Sequence, residues 1–164
     1  MIPVTLCMVI IDVGRLRNWR LWYLLKKILS PIIRESEERG DFTGATYILT
    51  TACLTIALFS RPVAGLALAF IIVGDPASAL IGIKFGRHKF KSKSLEGSLA
   101  FLTAAIMIAF VMPGVPLIVK IIGAVVATIT EAVSFRIDDN ATVPLVSGLV
   151  MTLLLELFWS ELFI

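Results

Sequence analysis

The chemistry this sequence offers rests first on carboxylates. Asp75 stands between Gly74 and Pro76 inside an apolar run, and Glu131, Asp138 and Asp139 stand at the edge of another. A charged side chain at the centre of a bilayer costs about 2.5–3.5 kcal/mol on insertion scales. Charge kept in such surroundings marks a candidate site. Glu131 lies seven residues, two helical turns, before Asp138, which opens the polar stretch Asp138-Asp139-Asn140 that Thr142 and Pro144 follow. A cluster of hard oxygen ligands suits Mg²⁺. Taken alone, that stretch also reads as a solvated turn and helix cap, which Asx residues favour. With Asp75 and a basic connector expected on the same face, the metal reading leads.

The connector 84–97 supplies the opposite charge. It holds Lys84, Arg87, Lys89, Lys91 and Lys93, interleaved with small residues, and ends at Ser94, Glu96 and Gly97. Lysine offers phosphate a mobile point charge and arginine a bidentate fork. Lys93 and Glu96 are three apart and can share a helix face. The competing account is a positive loop drawn to anionic lipid head groups. It explains the charge but not Glu96 and Gly97 directly before an apolar run. No Gly-x4-Gly-Lys-[Ser/Thr] phosphate loop is present. Gly74, Ser78, Gly82 and Gly86 recur every four residues and make one slender helix face, which serves helix packing equally well.

The elements that position these groups follow from composition. Of 164 residues, 58% are hydrophobic and 16% charged, and the mean hydropathy is +0.95. Average soluble domains are nearer 45–50% apolar, so the expected class is an all-α polytopic membrane protein forming one membrane-embedded domain over 1–164. Cys7 and Cys53 sit in apolar runs and read as small hydrophobes. The lone His88 excludes a histidine-rich metal site. The net charge of +3 does not point to nucleic acid, because the basic residues group by connector.

About five spans are expected, over Thr43–Phe59, Pro62–Ile83, Ser98–Met112, Val115–Phe135 and Val143–Phe163. Residues 1–11 are apolar but too few to cross, and they lack the basic start of a signal peptide. Residues 17–34 carry Arg20, Lys27 and Arg34 on one face and predict a basic interfacial helix. The run Pro62–Val73 makes only about 18 Å of helix. Pro76 favours a first turn, so the spacing predicts a span broken at Gly74–Pro76, as occurs where backbone lines a polar cavity. Thirteen of the fifteen basic residues fall in the connectors 12–42, 84–97 and the one holding Arg136, leaving Arg61 and Lys120. By the positive-inside rule this puts the polar residues on the cytoplasmic side.

Gly-Asp-Pro-Ala-Ser (74–78), Phe-Gly-Arg (85–87), Lys-Ser-Leu-Glu-Gly-Ser (93–98) and Glu131…Asp139-Asn140-x-x-x-Pro-Leu together resemble the CTP-dependent lipid kinases. That group includes dolichol, phytol and CTP-dependent diacylglycerol kinases and is related to the phosphatidate cytidylyltransferases. Asp12-x-x-Arg15 and Arg34-Glu35-x-Glu37…Thr43-Gly44-Ala45-Thr46 are similar to further segments of those proteins. The resemblance covers roughly residues 12–148. Family members carry additional membrane segments before the first motif, whereas Asp12 lies near the start of this chain; a homodimer is a matching expectation.

The resemblance implies transfer of the CTP γ-phosphoryl group to a lipid hydroxyl with Mg²⁺. Phosphoryl transfer needs positioning and charge neutralisation, which the residues above can give. Asp75 and Asp139 are the preferred metal carriers, then Asp138 and Glu131. Lys93 and Arg87 would hold phosphates, with Ser94, Asn140 and the backbone around Gly74, Gly82, Gly86 and Gly97. Glu96 would orient Lys93 or accept the hydroxyl proton. Arg15, Arg34, Glu35, Thr43 and Thr46 would form the lipid-side wall. The alternatives are a cytidylyltransferase, which would release pyrophosphate, and a small transporter, which needs polar groups through the whole depth.

Overall fold

A computed structural model describes residues 2–17, 44–90, 93–133 and 138–159. Among them are α1 (Ile2–Leu16), α2 (Gly44–Leu58), α3 (Arg61–Phe85), a hairpin of β1 (Lys89–Phe90) and β2 (Lys93–Ser94), α4 (Leu95–Val111), α5 (Leu117–Val133) and α6 (Asp139–Trp159). The chain divides into two compact units, Met1–Cys53 and Leu54–Ile164. In the first, Thr5 Oγ1 lies 3.2 Å from Cys53 Sγ. Both cysteines are free thiols, as their apolar surroundings in the sequence imply.

The second unit is a helical bundle. α3 packs most extensively on α4, and α4, α5 and α6 pack in succession, with α6 closing back onto α3. Val63, Leu66, Phe70, Phe101, Ala105, Val119, Ala124, Val143 and Met151 form its core. α3 starts after an extended Ser60 with Pro62 in its first turn, where the missing N–H would be unsatisfied anyway. α4 is capped by Ser94, whose side chain accepts a hydrogen bond from the Gly97 N–H. The turn into α5 uses Gly114 at φ 90°, a conformation that a side chain would oppose. On α5 the buried residues Lys120, Ala124, Ala127 and Glu131 fall three or four apart, so one stripe carries both of its charges inward. Lys120 is 7% exposed, and its Nζ donates to the carbonyl of Met112 at 2.7 Å, at the end of α4. A cation there satisfies a terminal carbonyl and the helix dipole together.

Helices stand at all five places where spans are expected. Two of them, Arg61–Phe85 and Asp139–Phe158, are long and apolar enough to cross a membrane, which suggests a membrane protein. α2, α4 and α5 have 15–17 residues, fewer than the roughly 20 that span hydrocarbon untilted. The break expected at Gly74–Pro76 is corrected: α3 runs unbroken for 25 residues with Pro76 inside it. Proline removes one N–H and crowds the Ile72 carbonyl, at a cost of about 3 kcal/mol. Packing outweighs this, because Phe70, Ile71, Gly74 and Ser78 are buried on both sides of the proline. A Cβ at Gly74 would stand 2.6 Å from the Phe101 ring, which shows how closely α4 holds α3 at that point. The predicted interfacial helix, 17–34, lies outside the described residues apart from Arg17.

Candidate active site

Because α3 is continuous, Asp75 and Ser78 lie three residues apart on one face, and both line a cleft of about 510 Å³. One carboxylate oxygen each from Asp75, Glu131 and Asp139 come within 4.8 Å of one another. They arrive from α3, the last turns of α5 and the start of α6. Lys93, on β2, ties two of them: its Nζ donates to Glu131 Oε1 at 2.6 Å and to Asp139 Oδ2 at 2.7 Å. Glu131 has no exposed side-chain surface, while Lys93 and Asp139 keep 19% each. A buried carboxylate is tolerated only when paired and hydrogen-bonded. Glu131 meets both conditions, because Ser78 Oγ also donates to Oε1 at 3.1 Å and Ser98 Oγ to Oε2 at a longer 3.4 Å. Burial works to lower the Lys93 pKa. The hydrogen bonds and charges of Asp139 and Glu131 outweigh it and leave the pKa above its ordinary value, so Lys93 is a fixed cation.

The cleft is also lined by Gly82, Lys89, Lys93 and Ser94, and its size falls within the usual range of ligand pockets. Three carboxylates against Lys93 leave a formal charge of about −2, which one divalent cation would balance. The donors are hard oxygens, which suit Mg²⁺, so the residues fit the ion.

The hairpin is short. Lys89 pairs with Ser94 and Phe90 with Lys93, and the Leu95 N–H donates to the His88 carbonyl at 3.0 Å. Glu96 does not reach for Lys93. Its carboxylate accepts the backbone N–H of His88 at 3.2 and 3.3 Å, and His88 Nδ1 lies 2.8 Å from Glu96 Oε1. The His88 side chain, then backbone hydrogen bonds, hold the Glu96 carboxyl down at about 2.

Other residues fall elsewhere than the sequence reading placed them. Asp138 is outside the carboxylate group. Its Oδ1 accepts the Asn140 backbone N–H at 2.9 Å and the Asn140 side-chain amide at 2.7 Å, while its carbonyl accepts from Ala141 and Thr142. The pair therefore caps α6, as the cap alternative has it. Arg87 is exposed. The glycines have packing reasons: a Cβ at Gly97 would stand 2.9 Å from the Ser78 carbonyl, and one at Gly82 3.0 Å from Ser94 Oγ. A Cβ at Gly86 would likewise collide with the Gly82 carbonyl. Arg15 belongs to α1 and Thr46 is buried in α2. Arg34, Glu35 and Thr43 lie outside the described residues.

Sequence reasoning did not assign Ser78 and Ser98, the two hydroxyls on Glu131, to the site. The available signal was position: Ser78 is one helical turn after Asp75, and Ser98 closes the Lys-Ser-Leu-Glu-Gly-Ser segment. His88, the lone histidine, and Lys89, one of five basic residues in the connector 84–97, carry no distinguishing signal in the sequence.

No family model matches the chain, and no solved structure matches it. The chain is 30% identical over 144 residues to uncharacterized protein RP860 of Rickettsia prowazekii, covering 82% of this chain and 71% of that protein. It is 27% identical over 177 residues to CTP-dependent diacylglycerol kinase 1 of Saccharomyces cerevisiae, covering 91% of this chain and 61% of the kinase. It is 32% identical over 136 residues to phytol kinase of Synechocystis, covering 73% of this chain and 58% of that enzyme. The chain thus spans about six tenths of the length of these two kinases. Homologues at 22–32% identity support a CTP-dependent lipid kinase family.

Proposed function

For a chain that belongs to one family with RP860, and whose relatives include proteins named CTP-dependent diacylglycerol kinase and phytol kinase, we propose transfer of the CTP γ-phosphoryl group to the hydroxyl of a membrane lipid alcohol. The observation that carries this reading is the meeting of Asp75, Glu131 and Asp139 around Lys93 at a cleft that also holds Lys89. The acceptor class is an isoprenoid alcohol, such as phytol or dolichol, or diacylglycerol. The protein is read as multi-pass, with the cleft on the cytoplasmic side where its basic connectors gather.

In this reading Asp75, Asp139 and Glu131 would hold Mg²⁺, which when bound neutralises charge on phosphate oxygens. Lys93 and Lys89 meet the triphosphate as point charges. Asp75, which lines the cleft, accepts the proton of the lipid hydroxyl on the carboxylate oxygen that it would not offer to the ion. The hydroxyl oxygen bonds to the γ-phosphorus as the bond to the β-bridging oxygen breaks. CDP leaves, and the lipid phosphate stays in the membrane. Ser78 and Ser98 fix the Glu131 carboxylate, which in turn fixes Lys93.

The test is incubation of the purified protein with γ-labelled CTP, Mg²⁺ and a panel of lipid alcohols, followed by thin-layer separation. Label in the lipid product, lost with a chelator and restored by Mg²⁺, is the expected result. Label released as pyrophosphate identifies a cytidylyltransferase, and no transfer to any alcohol removes the kinase reading.

A further inference from the structure

A hairpin with strands of two residues has little stability of its own, yet this one carries both lysines that line the cleft. β2 is secured at one end, because Ser94 caps α4. β1 has no such anchor in its own strand pairing, which amounts to two residue pairs. What continues the pairing is His88. Its carbonyl accepts the Leu95 N–H, its own N–H donates to both oxygens of Glu96, and its ring nitrogen stands 2.8 Å from the same carboxylate. Glu96 lies in the first turn of α4, where the helix dipole also favours a negative charge. The ladder therefore extends from the strands onto a helix end through one side-chain clasp.

We infer that His88 and Glu96 are positioning residues whose clasp holds β1 on β2, so that Lys89 and Lys93 enter the cleft together, and that Glu96 is not the base of the reaction. Glu96 is turned to the hairpin backbone rather than to the carboxylate group. A carboxylate already accepting several hydrogen bonds is a poor proton acceptor, and its low pKa agrees with that. The clasp reaches Lys93 through the strand pairing: Phe90 of β1 is its partner across the hairpin, while its ammonium bridges Glu131 and Asp139.

The chemistry separates the two roles of Glu96. Glutamine keeps an acceptor oxygen for the His88 N–H and ring nitrogen, but it cannot take a proton. The activity arm rests on the proposed kinase reading; a labelling arm does not. In the activity arm, Glu96→Ala raises the KM for CTP about tenfold, equivalent to losing one charged hydrogen bond, and leaves kcat within about threefold. Glu96→Gln keeps both constants near wild type. A general base would instead lose about 10²–10⁴ in kcat in both variants, and that result overturns the inference.

In the labelling arm, the nucleotide-free protein in micelles is treated with an amine-acylating reagent, and the rate at Lys93 is read by mass spectrometry. Glu96→Ala speeds acylation several-fold and Glu96→Gln does not; equal rates in all three proteins overturn the clasp. Should Glu96→Ala not fold, His88→Ala and His88→Asn repeat the comparison, since the asparagine amide can donate from near the position of Nδ1. Wild-type protein that phosphorylates no lipid removes the proposed function while the labelling result still decides the clasp.

Discussion

The ion pair inside the bundle can be weighed directly by a double-mutant cycle of Lys93→Met and Glu131→Gln. At 2.6 Å and an effective dielectric of about 20, the gross attraction is roughly 6 kcal/mol. Burial of both groups takes back much of it. Hydrogen bonds to charged partners retain about 1.5–3 kcal/mol net. Lys93→Met leaves Glu131 with only its two serine donors and no countercharge, so the single change destabilises by about 2–3 kcal/mol. Glu131→Gln leaves Lys93 its second partner, Asp139 at 2.7 Å, and costs about 1 kcal/mol. The double variant then loses less than the sum, by about 2 kcal/mol. The assay is reversible unfolding in mixed micelles with a chelator present, so that no added metal replaces the lysine charge, followed by tryptophan fluorescence. Additivity within about 0.5 kcal/mol would refute the claim that this contact holds the site together.

Three further outcomes follow from the same geometry. Asp75→Asn lowers the rate of phosphoryl transfer by about 10²-fold or more, whereas Lys120→Leu keeps the chemistry and loses about 1–3 kcal/mol of stability by leaving the Met112 carbonyl unpaired; radiolabel transfer and unfolding measured on both variants check the split. Gly97→Ala forces a methyl within 2.9 Å of the Ser78 carbonyl, a backbone atom that cannot swing away, and destabilises by about 1–3 kcal/mol in the same unfolding assay. The Glu96 carboxyl, held at about 2 against an ordinary 4.5, gives the clasp its full contribution above the ordinary value and loses it as pH falls through the lower one. Carboxyl-carbon NMR of Glu96 therefore shows a midpoint near 2, and His88→Ala moves that midpoint upward.

Much of the site could be read from the chain because expensive residues announce themselves. Asp75 and Glu131 are carboxylates embedded in apolar sequence and Asp139 stands at the edge of the next apolar run, and the geometry brings those three together. What the sequence could not resolve was direction. Asp138 and Asp139 are neighbours, and about 100° of helix turn sends one into the bundle and the other back onto its own cap. The continuity of α3 was hidden for a similar reason: Gly-Asp-Pro reads locally as a break, and only the packing of Phe101 on Gly74 decides otherwise. Glu96 sits at helical spacing from Lys93, which suggested a pair. An unforeseen hairpin turned it toward His88, because strands of two residues leave no periodic trace. Of the expected lipid-side wall, Arg34, Glu35 and Thr43 lie outside the described residues.

The charges that balance one another are far apart along the chain: Lys93 finds Glu131 after 38 residues and Asp139 after 46. Ribosomal synthesis delivers them in that order. A nascent chain halted before α6 would hold Glu131 and Lys93 without the carboxylate that completes them. The paired cluster is thus complete only once α6 has joined the bundle, because Asp139 supplies the second carboxylate that Lys93 holds.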